Sequence, residues 1–124
     1  MDNNYNQIFA KRIKDLSVDI INQLSDLTYS EKVSVIRKQV FRSSSSSASN
    51  YRAMCRARSL KERYSKMCIV VEEADETLFW IEFMKDLRMF SEESLEKWFN
   101  EAEEIVKATS SYRKYLKEKL EHSN

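Results

Sequence analysis

The sequence predicts an all-α fold, an antiparallel up-down-up-down four-helix bundle, and three observations carry the prediction. The 124 residues include no glycine and no proline. An average chain holds about 7% and 5% of them, so the tight turns of a hairpin-rich β fold lack their usual residues. Apolar residues recur at steps of three and four along four stretches, the spacing that gathers them on one side of a helix. Short polar segments separate these stretches, and short connections between long helices make neighbours antiparallel. The length suits one domain over residues 1–124.

The first helix is expected over 5–24, with Phe9, Ile13, Leu16, Ile20 and Leu24 on one side. Thr28 with Glu31 three residues later has the pattern of a capping box. It opens a second helix over 30–58, whose apolar side begins Val33, Ile36, Val40 and Phe41. Ser59 and Glu62 form a second box, opening a third helix over 60–88 with Tyr64, Met67, Val71, Ala74, Leu78 and Ile81 as its seam. Ser91 ahead of Glu92 and Glu93 puts acids at the positive end of a helix dipole. It opens the fourth helix, 92–120, carrying Leu95, Trp98, Ala102, Ile105, Thr109, Tyr112, Leu116 and Leu120.

Ser43–Ser47 are five serines in a row and raise the question of a flexible linker. A break there would leave the second helix roughly 15 Å long against a third helix of roughly 40 Å, stranding most of its seam. Kept helical, each serine costs only a few tenths of a kcal/mol relative to alanine. Around a turn at Ser59 and Leu60, residues whose numbers sum to about 119 lie side by side, so the serines face Glu72–Glu76. Their hydroxyls are then expected either to donate to these carboxylates or to face solvent.

The stretch SNYRAMCRARSLKERYSKMCIVVEEADETLFWIEFM, residues 49–84, resembles a bacterial four-helix-bundle family, the 23S rRNA intervening-sequence proteins. The resemblance is carried by Arg42 and Ser43, by Asn50-Tyr51-Arg52-Ala53 and Arg56-Ala57-Arg58-Ser59, and by Glu73-Ala74-Asp75-Glu76-Thr77 followed by Trp80. It extends more weakly over the first and fourth helices. One departure is that positions 44–48, usually small or apolar in the family, are here almost all serine. The resemblance implies a bundle that assembles into a homo-oligomeric ring, typically a pentamer. It also implies kinship with the accessory proteins of diversity-generating retroelements, basic rings that bind a reverse transcriptase and nucleic acid. For most members no activity is established.

The formal net charge of +1 hides a divided chain. Residues 37–66 hold nine bases against Glu62, a net of +8, and residues 72–104 hold twelve acids and three bases, a net of −9. Arg52, Arg56, Arg58, Lys61, Arg63 and Lys66 gather around the turn between the second and third helices. In a ring they would repeat as a band of positive potential suited to phosphate, with Tyr51 or Tyr64 placed to stack on bases. Two plainer readings stand beside this one. Arg42 is placed to pair with Asp75 or Glu76, and the other arginines either neutralise acids on a neighbouring subunit or remain solvated.

Phe79, Trp80, Phe83 and Trp98 widen the apolar faces of the third and fourth helices beyond what one seam covers. They are expected as anchors of a subunit interface, the alternative being a broad core. Carboxylates at 72, 73, 75, 76 and 82 invite a di-iron reading, but that chemistry uses two Glu-x-x-His motifs and the one histidine is His122. Cys55 and Cys68 have neither metal-ligand spacing nor a histidine partner, so small buried residues are preferred to redox sensors. No cofactor and no enzymatic activity are expected. No basic segment with an apolar run opens the chain and no apolar stretch reaches about 18 residues, so the expectation is a cytoplasmic protein off the membrane, with reduced thiols. The function expected is that of a scaffold or accessory protein binding RNA or a reverse-transcriptase-like partner, or else a hub for another protein through its acidic, aromatic surface.

Overall fold

Four α-helices account for most of residues 3–123, the part that the computed structural model describes: α1 (Asn3–Ser25), α2 (Glu31–Cys55), α3 (Leu60–Asp86) and α4 (Glu92–Glu121). The last three each start at a serine whose hydroxyl accepts the backbone N–H three residues on: Ser30 from Val33 at 3.3 Å, Ser59 from Glu62 at 3.0 Å, and Ser91 from Ser94 at 3.2 Å. Each satisfies one orphan donor of a helix start. The cap expected at Thr28 therefore moves to Ser30, because Val33 is the first buried residue of α2 and fixes where its first turn sits. α2 also ends at Cys55, short of Arg58. Ser59 has to be extended to cap α3, and Arg56–Arg58 make the turn that allows it.

With no glycine to end a helix, α3 closes on an arginine. Arg88 is left-handed at φ 53°, its N–H reaches the Lys85 carbonyl at 3.1 Å and the Met89 N–H reaches that of Met84 at 3.1 Å. This is the Schellman arrangement, in which glycine normally takes the left-handed position because it has no Cβ to crowd.

α1 packs along α2, α2 along α3 and α3 along α4, while α1 touches α4 sparsely and lies diagonally across from α3. All neighbours are antiparallel. Ser43 meets Thr77 and Arg42 meets Glu76, within one residue of the expected α2–α3 register. The serine run is helical throughout and carries no break.

The core divides in two. At the α2–α3 turn end, Phe9, Ile13, Tyr51, Met54, Met67, Val70, Val71, Ala74, Ile105 and Leu116 form one cluster. At the other end Ile20, Leu24, Ile36, Val40, Ile81, Met84, Leu95, Trp98 and Ala102 form a second. Between them lie the buried hydroxyls of Ser17, Ser43, Ser44, Ser47 and Thr77. Ser17 and Ser44 share a hydrogen bond of 2.6 Å, Thr77 donates to Ser43 at 3.0 Å, and Ser44 is also 2.6 Å from the Val40 carbonyl. The serines thus find hydroxyls and carbonyls rather than the expected carboxylates, since the side chains that point inward meet the small polar residues of α1 and α3. Ser47 Oγ alone among the described buried side-chain atoms has no protein partner. It borders a void of about 10 Å³, room for roughly one water.

Candidate nucleic-acid interface

The antiparallel topology brings the start of α1, the α2–α3 turn and the end of α4 to one end of the molecule. Arg52, Arg56, Arg58 and Lys61 are exposed there, and Lys66 is half-buried. None of these five forms a salt bridge among the described residues. Arg63 differs: it is half-buried, with its guanidinium 3.7 Å from the Met54 sulfur, so it packs on the core as well as adding charge. The end of α4 contributes Arg113, Lys114, Lys117 and Lys119, which the charge reading of residues 37–66 passed over. Their signal was available in the topology, because an up-down bundle sets the last turns of its fourth helix beside the turn between its second and third. Among the described residues Glu62, Glu118 and Glu121 are the acids of this end, against ten bases.

The electrostatics follow from burial. Tyr51 is buried in the core rather than exposed for stacking, because it lies on the inner side of α2 and packs on Phe9 at 5.5 Å. Desolvation raises its phenol well above the usual range. Burial likewise raises the Cys55 thiol, against the opposing pull of Arg63 and Arg56. Tyr64 is half-buried and its phenol is raised, first by its hydrogen bond with Cys68. Both thiols are half-buried and free, and a raised pKa makes Cys55 a poor nucleophile.

A second surface lies on α3. Phe79, Trp80 and Phe83 form a three-ring cluster with centroids 5.0 to 5.9 Å apart, and Phe79 and Phe83 are 50% and 40% exposed. Exposed Glu72, Asp75, Glu82 and Asp86 flank them. Trp80 donates to Glu76 at 3.3 Å, and Glu76 with Glu73 holds Arg42. Asp75, the other partner expected for Arg42, faces solvent instead. Trp98 does not belong to this surface. It is 3% exposed, lies edge-on to Phe90 at 5.1 Å and donates to Asp19 of α1 at 2.7 Å, so it is a core residue of the far end and not an interface anchor. Phe41 departs in the opposite sense: placed on the second helix's inner side by its spacing, it is exposed.

The chain's one histidine, His122, caps the end of α4, exposed, with Nδ1 2.7 Å from the Glu118 carbonyl. Among the described residues no three His, Cys, Asp or Glu side chains converge as a metal site would require. No helix is long and apolar enough to cross a membrane.

Residues 6–111 match the family model of the 23S rRNA-intervening sequence protein. The chain belongs to that family. A solved structure similar to it is a protein of unknown function from the S23 ribosomal protein family of Bacteroides thetaiotaomicron, with a TM-score of 0.78 and 28% identity, covering 88% of this chain and 97% of that one. Among curated proteins none matches. Membership accords with the residues that suggested it: Arg42 ties α2 to α3 through Glu73 and Glu76, and Thr77 with Ser43 closes the same seam.

Proposed function

We propose that this family member is a non-enzymatic, cytoplasmic scaffold that binds RNA, or a partner carrying RNA, through the basic end of the bundle. The observation that supports this most is the set of five cations, Arg52, Arg56, Arg58, Lys61 and Lys66, without a carboxylate partner among the described residues. Cations held for intramolecular pairing would have found acids. A polyanion releases counterions when it meets such a cluster, so affinity falls steeply with salt. Arg56→Glu with Arg58→Glu is expected to abolish RNA binding measured by fluorescence anisotropy at low salt, with helical content unchanged. Binding equal to wild type would reject the reading.

The bundle is proposed to act as a homo-oligomeric ring, the pentamer that the family resemblance implies. Support comes from two surfaces that complement each other. The aromatic ridge of Phe79, Trp80 and Phe83 is rimmed by acids, while a groove of about 800 Å³ between α1 and α2 is lined by Val18, Ile21, Phe41 and Ala48 and rimmed by Lys14 and by Lys11, which pairs with Asp15 of the same rim. A ridge on one copy seated in the groove of the next is a head-to-tail contact, the kind that closes rings. Phe79→Glu is expected to reduce the solution mass to that of a 14.8 kDa monomer. A wild-type monomer at micromolar concentration would sink the ring. Salt-insensitive capture of a protein through the aromatic ridge, with no RNA bound, would favour the hub alternative.

A further inference from the structure

α1 and α4 approach each other only sparsely, and polar ties hold them: Arg12 to Glu101 at 2.5 and 3.1 Å, and Trp98 to Asp19 at 2.7 Å. Toward the basic end, beyond these ties, the two helices leave a crevice of about 200 Å³. This is smaller than the roughly 300–1,000 Å³ of clefts that take drug-sized ligands and suits a single planar ring system. Its walls are aromatic. Tyr5, Phe9, Tyr51 and Tyr112 line it, with Met67 and Thr109 among the other lining residues. Tyr5 and Phe9 are stacked with centroids 5.9 Å apart and planes within 17°, and Tyr5 is 56% exposed at the first turns of α1.

Two further observations narrow the occupant. Among the described residues no carboxylate lines the crevice, and Asn6 is shared between it and a neighbouring depression whose wall includes Arg52 and Arg56. An apolar peptide or lipid tail would gain nothing from those two guanidinium groups. A nucleotide would use both regions, its ring against the aromatics and its phosphate against the arginines.

We infer that the α1–α4 crevice takes one unpaired base of a single-stranded RNA, stacked on Tyr5 and Tyr112, while Arg52 and Arg56 hold the adjoining phosphates. The inference rests on the RNA-binding reading above and adds the strandedness of the ligand. A base inside a duplex is stacked on its neighbours and cannot enter. Stacking on aromatic side chains tolerates every base, so the site selects unpaired RNA without selecting its sequence.

The test compares a short single-stranded RNA carrying one fluorescent adenine analogue with a blunt RNA duplex of the same length, at low salt. The single strand is expected to bind more tightly, with the analogue's emission changed by stacking. Tyr5→Ala, an exposed position that leaves the core intact, is expected to weaken the single strand about tenfold and leave the duplex unchanged. Ala108→Phe, which fills the crevice, is expected to remove the emission change while the charge-driven binding persists, with circular dichroism checking the fold. Equal binding of both RNAs, unchanged emission and no effect of Tyr5→Ala would overturn the crevice while the basic-end reading stands. No binding of either RNA would overturn both.

Discussion

The end of the bundle that holds connectors 26–30 and 87–91 is closed: Trp98, Met84, Ile81 and Leu24 fill it, Phe90 lies edge-on to Trp98, and Asp19 satisfies the indole N–H. The opposite end is built from the same four helices, yet there the gap between α1 and α4 is lined by tyrosines instead of the charged side chains of Arg12, Asp15, Glu101 and Glu104 that line it nearer Trp98, and among the described residues ten bases stand against three acids. Charge follows the same division, with residues 37–66 at a net of +8 and residues 72–104 at −9. The difference teaches that one end of this bundle uses its aromatic side chains to fill the core while the other leaves several of them lining a gap. A gap between helices is tolerable only where its lining is amphipathic, and tyrosine supplies both an apolar ring and a polar edge.

The comparison can be broken most directly at its closed end. Trp98→Ala is expected to cost about 3–5 kcal/mol, read from the urea midpoint. Tyr5→Ala at the open end is expected to stay within about 0.5 kcal/mol, as surface changes do. Equal losses would erase the distinction. The charge reversal at Arg56 and Arg58 tests the open end in the complementary way: the proposed RNA binding is expected to be lost at nearly constant stability.

Smaller changes sharpen the boundary between the two halves. Ser47→Ala is expected to raise stability by about 1 kcal/mol, because it removes a buried hydroxyl without a protein partner. A loss instead would indicate a water bridging Ser47 in the void beside it. Arg88→Gly should add roughly 0.5–1 kcal/mol by relieving the left-handed conformation that ends α3. Thermal melts at matched concentration measure both.

The sequence made local features legible and left distant ones hidden. The caps at Ser59 and Ser91 were readable because a cap joins a hydroxyl to an N–H three residues away. The cap at Ser30 was read two residues early, since Thr28 offers the same local pattern and only the burial of Val33 decides between them. The helicity of the serine run was also legible, because the length of α3 demanded a partner. Its hydrogen bonds were not, as Ser17 and Thr77 approach from other helices. Trp98 was assigned to a subunit interface for the same reason: its partner Asp19 lies on α1, and no spacing within α4 points to it. The crevice could not be foreseen at all, because it depends on how far α1 leans away from α4.

The hydroxyl band at mid-height has a consequence for how the rods are set against one another. A purely aliphatic seam is nearly the same after sliding one helix by a turn, so it fixes axial position weakly. The Ser17–Ser44 and Thr77–Ser43 bonds close at one setting only, and any slip would strand their oxygens in hydrocarbon. The band works as a vernier, an alignment mark that keeps the crevice and the arginines at the same height on their separate helices.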